Sequence, residues 1–320
     1  MTVGATLLAS FLIALTRPAT WVLGLLGFLV RGGFALVVAP IVVLPTPVGL
    51  ANVLAPLLED VAFGRRTAQV VELAAVAVVA VLVWLLGGGI VAAAAEVELV
   101  RSVAADDELS AGTRPTPAAA PWPAPDRGRA WRVLAVRLVA DLPLAVALAW
   151  GSIRIVSVAY QELTVPSDVG SPLAVRILAG APDAIVGVIL SWLVGETIGA
   201  VAARRVILLG EGVPRSLRGA LGRFLRRPGR TLAIGTLTTA VVSILLGLTA
   251  VALAAAWDGV RASLAVDGGW LAPVLLVVTL VALFGVGLVL LGVVAAWRSA
   301  VWTVELDGTF GARHGARTGD

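Results

Sequence analysis

The sequence predicts an all-α protein, a polytopic membrane helix bundle of about six transmembrane helices with both termini on the cytoplasmic side. Three observations predict it. Charged residues are 14% of the 320-residue chain and hydrophobic ones 59%, with a mean hydropathy of +0.99, against about 25% and 45–50% in a soluble domain. Six apolar runs each approach or exceed the ~20 residues that a helix needs to cross hydrocarbon, and a chain of this length could not hide six such helices from water. The arginines between the runs alternate in abundance, the asymmetry that sets orientation.

The predicted spans are 19–44, 69–99, 132–160, 177–203, 231–257 and 269–302. Residues 1–100 form a first helical hairpin with an N-terminal interfacial or broken segment. The start, MTVGATLLASFLIALTRPAT, lacks the basic n-region and cleavage site of a signal peptide, so residues 4–16 read as an interfacial helix or the first turns of the first span. Within this hairpin Arg31 interrupts an apolar run, and two readings compete. Either the span continues past it, burying a guanidinium at mid-depth with no carboxylate obviously level with it, at a cost of a few kcal/mol. Or the crossing starts near Leu7 and ends at Arg31-Gly32-Gly33, and the residues broken by Pro40, Pro45, Pro47 and Pro56 form a re-entrant segment buried in protein. The second removes the unpaired charge and is preferred; Arg31 then marks a boundary and does no chemistry.

Residues 101–130 follow as a cytoplasmic Pro/Ala linker, with five prolines and no apolar periodicity. Trp122 within it reads as part of a solvated tether. Residues 131–230 hold the second hairpin and an arginine-rich helix. In the fourth span Ala179, Asp183, Gly187, Ser191, Gly195, Gly199 and Ala203 recur every four residues. In lipid, apolar surface gives helices no reason to associate, so small residues that let backbones approach take over. This helix is therefore expected at the packing centre of the bundle.

Ionisable groups inside spans face protein or water and are functional candidates by default. The third span carries Arg137, Asp141 and Arg154, with a kink expected at Pro143; the fourth carries Asp183 and Glu196. The two helices run antiparallel, so levels can be compared at ~1.5 Å per residue. Arg154 and Asp183 lie about 9 and 10 Å below their outer ends; Asp141 and Glu196 lie about 15 and 12 Å from their inner ends. Arg154 should then meet Asp183, and Arg137 and Asp141 should meet Glu196. As structure, these groups fasten a hairpin. As function, Asp141 and Glu196 form a like-charge pair in which each raises the other's hold on a proton, as a proton-coupled carrier needs.

Val213 to Pro228 reads as an amphipathic helix. At about 100° per residue Val213, Leu217, Ala220, Leu221, Phe224 and Leu225 share one face, and Arg215, Arg218, Arg223, Arg226 and Arg227 the other. Pro214 suits its first turn and Pro228 stops it. It should lie apolar face down in the cytoplasmic interface, against anionic headgroups; a cytosolic protein partner is the competing occupant, and a homo-oligomer is a further partner open to the chain. Residues 231–306 are the third hairpin and 307–320 a disordered tail. A faint repeat (AAEVELV, AARRVILL, AAWRSAVW) ends the even-numbered spans.

All 24 basic residues are arginine, there is no cysteine, and the one histidine is His314. Disulfides, thiolate chemistry, His-based triads and Cys/His metal sites are excluded, so no catalytic residue, metal or cofactor is expected, and nucleic acid is not a partner because the basic residues lie between spans. The stretches RGGFALVVAPIVVLPTPVGL and AARRVILLGEGVPRSLRGALGRFLRRPGRTL resemble a loose group of six-helix membrane proteins from GC-rich bacteria, with no established activity to transfer. The resemblance implies a multi-pass protein of the cytoplasmic membrane. Two functions remain: a permease-like carrier or accessory transport subunit, and a non-transporting scaffold or lipid-interacting protein. A water-filled cavity beside Asp141 and Glu196 favours the first, a dry closed bundle the second.

Overall fold

The computed structural model describes residues 2–41, 67–110, 127–168, 170–171, 173–265 and 270–315. Among them the backbone is helical nearly throughout, with no strand. Six helical segments are long and apolar enough to cross a membrane: Pro18–Ile41, Val71–Ala105, Leu142–Thr164, Pro182–Leu209, Pro228–Leu264 and Leu271–Leu306. The chain is a multi-pass α-helical membrane protein.

In chain order the elements are α1 (Val3–Thr16), α2 (Pro18–Phe28), a π-helical turn Leu29–Gly33 leading into α3 (Phe34–Val38), α4 (Thr67–Val83), a second π turn Trp84–Gly88, and α5 (Gly89–Ser110). There follow α6 (Arg127–Ala140), α7 (Leu142–Thr164), α8 (Leu173–Gly180), α9 (Pro182–Leu209), α10 (Val213–Arg226), α11 (Pro228–Leu264) and α12 (Leu271–Gly315). The chain divides into two compact units. One holds residues 1–17, 97–241 and 297–320, the other residues 18–96 and 242–296.

Several boundaries differ from the sequence reading, each for a local reason. The third span does not run from 132. Asp141 takes a turn conformation (φ −89°, ψ −2°) and separates α6 from α7, whose first turn carries Pro143; proline has no N–H to continue the helix and crowds the residue before it. Arg137 therefore sits on a short helix preceding the span. Similarly, Ala181 (φ −130°, ψ 47°) before Pro182 cuts α8 from α9, so Ala179 belongs to a different helix from the rest of the four-residue ridge. The first crossing starts at Pro18, after α1 has ended at Arg17, and continues past Arg31 to Ile41. That overturns the preferred boundary reading of Arg31. Pro45, Pro47, Pro56, the core of the Pro/Ala linker (111–126, with Trp122) and residues 316–320 lie outside the described residues. Helix extends to Ser110 and resumes at Arg127 around that linker, and α12 reaches Gly315 where a disordered tail was expected.

In the first unit α9 packs against α6, α7, α8 and α10. Its C-terminal half carries the buried run Gly195, Thr197, Gly199–Arg204, Val206 and Ile207. A Cβ placed on Gly195 would lie 2.7 Å from the Ala140 carbonyl oxygen, and one on Gly199 3.3 Å from the Ala140 Cβ. The ridge thus works as close backbone contact, but in its C-terminal part. Towards the N-terminal end Gly187 only touches the Trp150 ring, and the residues meeting Gly151 of α7 are Ala184 and Val188. The second unit uses the same device elsewhere: Gly24 of α2 meets the Ala296 backbone of α12, and Gly292 meets the Trp21 carbonyl.

Candidate functional site

The charges of the first unit gather around carboxylates clasped by two guanidiniums. Glu196 Oε1 on α9 lies 3.1 Å from Arg137 on α6 and 3.4 Å from Arg298 on α12. One carboxylate so joins three helices, and arginine's planar fork suits that role. Asp141 Oδ1 would stand 3.3 Å from a Gly195 Cβ, next to the clasp. Glu196 and Asp141 are therefore neighbours in sequence register, but the structure surrounds Glu196 with cations. A parallel arrangement follows at Glu305 of α12, which accepts from Arg223 of α10 at 2.8 Å and from Arg230 of α11 at 2.8 and 2.6 Å. Arg223, expected on the outward face with the other arginines, is turned inward by this contact. Burial pulls its guanidinium pKa below the ordinary value, and Glu305 opposes that pull. Arg204, fully buried, donates to the Ala200 carbonyl on its own helix and to the backbone and hydroxyl of Ser299 on α12.

At the other end of the second hairpin, Arg154 Nε lies 3.4 Å from Asp183 Oδ2, as their matched levels require. Beyond it Glu162, Ser167, Asp168, Ser171, Val175 and Arg176 line an open cleft of about 400 Å³. Arg176 reaches Glu162 at 3.2 Å. Asp168 is held below the usual carboxylate range, first by the Ser171 hydroxyl and then by the Gly170 N–H. These groups answer one another across a solvent-exposed loop and leave little charge to offer a ligand.

In the second unit, Arg31 is paired with Glu96 of α5. The helix of Arg31 breaks beside the pair, and the helix of Glu96 has a π turn eight residues before the glutamate. Gly32 adopts φ 104° inside the turn Leu29-Val30-Arg31-Gly32-Gly33, and Trp84-Leu85-Leu86-Gly87-Gly88 makes the matching π turn. The two turns touch, with the Val30 carbonyl 3.2 Å from where a Gly88 Cβ would be. Single π turns inside α-helices recur at functional sites, and irregular backbone at membrane depth is tolerated when buried in protein. Sequence reasoning missed Glu96 because the second span was ended at 99, leaving the glutamate at its edge. With the helix running to Ala105, Glu96 lies about 14 Å inside its end and Arg31 about 20 Å inside the start of its own span. Arg298 and Glu305 were missed because arginines were sorted by loop and carboxylates near span ends were not paired with them. The four exposed arginines of α10 (Arg215, Arg218, Arg226 and Arg227) stay on its surface.

Fold and clusters together define a multi-pass membrane protein whose intramembrane and membrane-edge charges occur in partnered sets. Comparison with family models, with curated proteins and with solved structures returned no match.

Proposed function

We propose that this chain is a non-transporting scaffold of the cytoplasmic membrane, without catalytic activity, with both termini on the cytoplasmic side. The observation that carries the reading is the double clasp of Glu196 by Arg137 and Arg298 beside a Gly195 that has no room for a methyl group. A proton carrier needs a carboxylate that can part with its counterions and meet water. Here the carboxylate ties α6, α9 and α12 together where backbones are already in contact. Removing one partner of a buried ion pair costs roughly 3–5 kcal/mol. The scaffold reading expects Glu196→Gln to lower the thermal unfolding temperature of the purified protein by several degrees. It also expects wild-type proteoliposomes to hold an imposed pH gradient as well as protein-free vesicles do.

The second reading, a permease-like carrier, is favoured by a different feature: Arg31, in one of two facing π turns, paired with Glu96 further along the other helix. Broken helices near mid-membrane are a common way to build a site for ions or charged solutes. If wild-type proteoliposomes dissipate the gradient and Glu96→Gln variants of normal stability do not, the carrier reading replaces the scaffold.

A further inference from the structure

Three short helices outside the six spans share a pattern that none of them shows alone. Helix α1 buries Thr6, Ser10 and Ala14 and exposes Leu8, Phe11, Leu12 and Leu15. On α10 the inward edge is Ser216, Ala220 and the Glu305-bound Arg223, whereas Leu221 and Leu225 are 46% and 68% exposed. Between these in sequence, α6 buries Val133 and Val136 and exposes Trp131 and Leu138. Short, polar or internally bonded side chains thus face the protein on α1 and α10, α6 buries Val133, Leu134 and Val136, and each of the three helices also turns bulky apolar side chains outward. In water that arrangement would leave large apolar patches uncovered.

Chain connectivity says what covers them. Helix α1 precedes the first span, α6 lies between the second and third, and α10 between the fourth and fifth. Consecutive crossings alternate direction, so all three lie on one side of the membrane. Each is also tethered to a span within three residues or fewer: Arg17 joins α1 to α2, Asp141 joins α6 to α7, and Gly210–Gly212 and Arg227 join α10 to α9 and α11. Such short tethers keep each helix beside the end of the span it adjoins. The three helices belong to the same unit, where α6 touches α10 and the Trp297 indole N–H donates to the Leu7 carbonyl of α1.

We infer that α1, α6 and α10 form one layer at the headgroup level of a single leaflet, α6 standing alongside α9, with their exposed bulky side chains at the acyl boundary and Arg215, Arg218 and Arg226 on anionic phospholipid. The charge complementarity is direct: these three arginines are exposed beside Leu221 and Leu225. Long arginine stems can follow an apolar surface while the guanidinium stays at phosphate level. The inference rests on the multi-pass architecture alone and holds for scaffold or carrier.

The absence of native cysteine makes the test direct. Single variants Leu12→Cys, Leu138→Cys and Leu225→Cys are labelled with a fluorophore in nanodiscs, with Ser167→Cys, in an exposed loop, as the aqueous reference. Quenching is read with aqueous iodide and with spin-labelled phosphatidylcholine or phosphatidylglycerol, after checking by size exclusion that each variant is monodisperse. The expected result is several-fold stronger lipid quenching and weaker iodide quenching at the three leucine sites than at Ser167→Cys. At Leu225→Cys, phosphatidylglycerol should quench more than phosphatidylcholine, and that preference should vanish when Arg215, Arg218 and Arg226 are all glutamine. Labels at the leucine sites as open to iodide as the reference overturn the layer and point to a protein covering it instead. Lipid quenching with no preference for phosphatidylglycerol overturns the anionic assignment.

Discussion

Gly32 holds φ at 104°, a conformation that side chains resist, yet nothing lies within 4 Å of where its Cβ would be. Backbone and space are therefore separable at this position. Gly32→Ala should destabilise by roughly 1–2 kcal/mol through the backbone alone. Gly27→Ala, also in open space but with ordinary φ, should be neutral or stabilising by up to ~1 kcal/mol. Thermal unfolding in detergent micelles compares the two; equal effects would show that the turn carries no strain. The neighbouring Arg31 makes a second residue-scale prediction. Either Arg31→Leu or Glu96→Leu breaks the ion pair and should be destabilising, whereas the double variant should regain most of the loss. An additive double variant would mean that the pair does not couple. The sequence announced Arg31 as an anomaly but could not name its partner, because pairing depends on depth and depth depends on helix ends, the least legible part of a sequence.

Among whole elements, the four-residue ridge of the fourth span was legible and its use was not. Periodicity treats Gly187 and Gly195 as equivalent, but contact separates them. A methyl at Gly195 meets a fixed carbonyl oxygen at 2.7 Å; at Gly187 it meets the Trp150 ring at 3.4 Å. Gly195→Ala should therefore cost about 1–3 kcal/mol as overpacking. Gly187→Ala should be near neutral, since alanine favours helix by about 1 kcal/mol over glycine. Comparable losses in unfolding temperature would show that contact at the ridge is uniform. The Gly24 and Gly292 crossing had no such periodic signal, because each helix supplies one close approach and a single glycine in a glycine-rich chain says nothing by itself. The arginine helix was legible as amphipathic, but the turn of Arg223 towards Glu305 was not, since its partner lies 82 residues away.

For the molecule as a whole, composition and the length of the apolar runs were enough to indicate six crossings, because the need to satisfy every backbone group in hydrocarbon leaves helices almost no alternative. Orientation is the remaining global quantity, and the arginine asymmetry makes it testable. A membrane-impermeant maleimide added to intact cells should label Ser167→Cys, in the cleft between α7 and α8. It should reach Arg215→Cys only after the membrane is opened; labelling in the reverse order would invert the topology. The tertiary clasps were beyond sequence reading because they join residues far apart in the chain at positions that no local pattern marks.

The Arg154–Asp183 pair bears on how the protein enters the bilayer. The spans that hold these residues, Leu142–Thr164 and Pro182–Leu209, have the lowest hydropathies of the six, 1.7 and 1.9 against 3.0 for the last. Presented singly to the insertion machinery, the first brings Arg154 at mid-helix, which resists partitioning by about 2.5–3.5 kcal/mol, and the second brings Asp183 in its first turn. Presented together they bring a neutralised couple, separated in the chain by the short connection that carries α8. Biogenesis would then proceed by loading the second hairpin as one body, and a ribosome stalled before the later span emerges should leave its predecessor waiting outside the membrane.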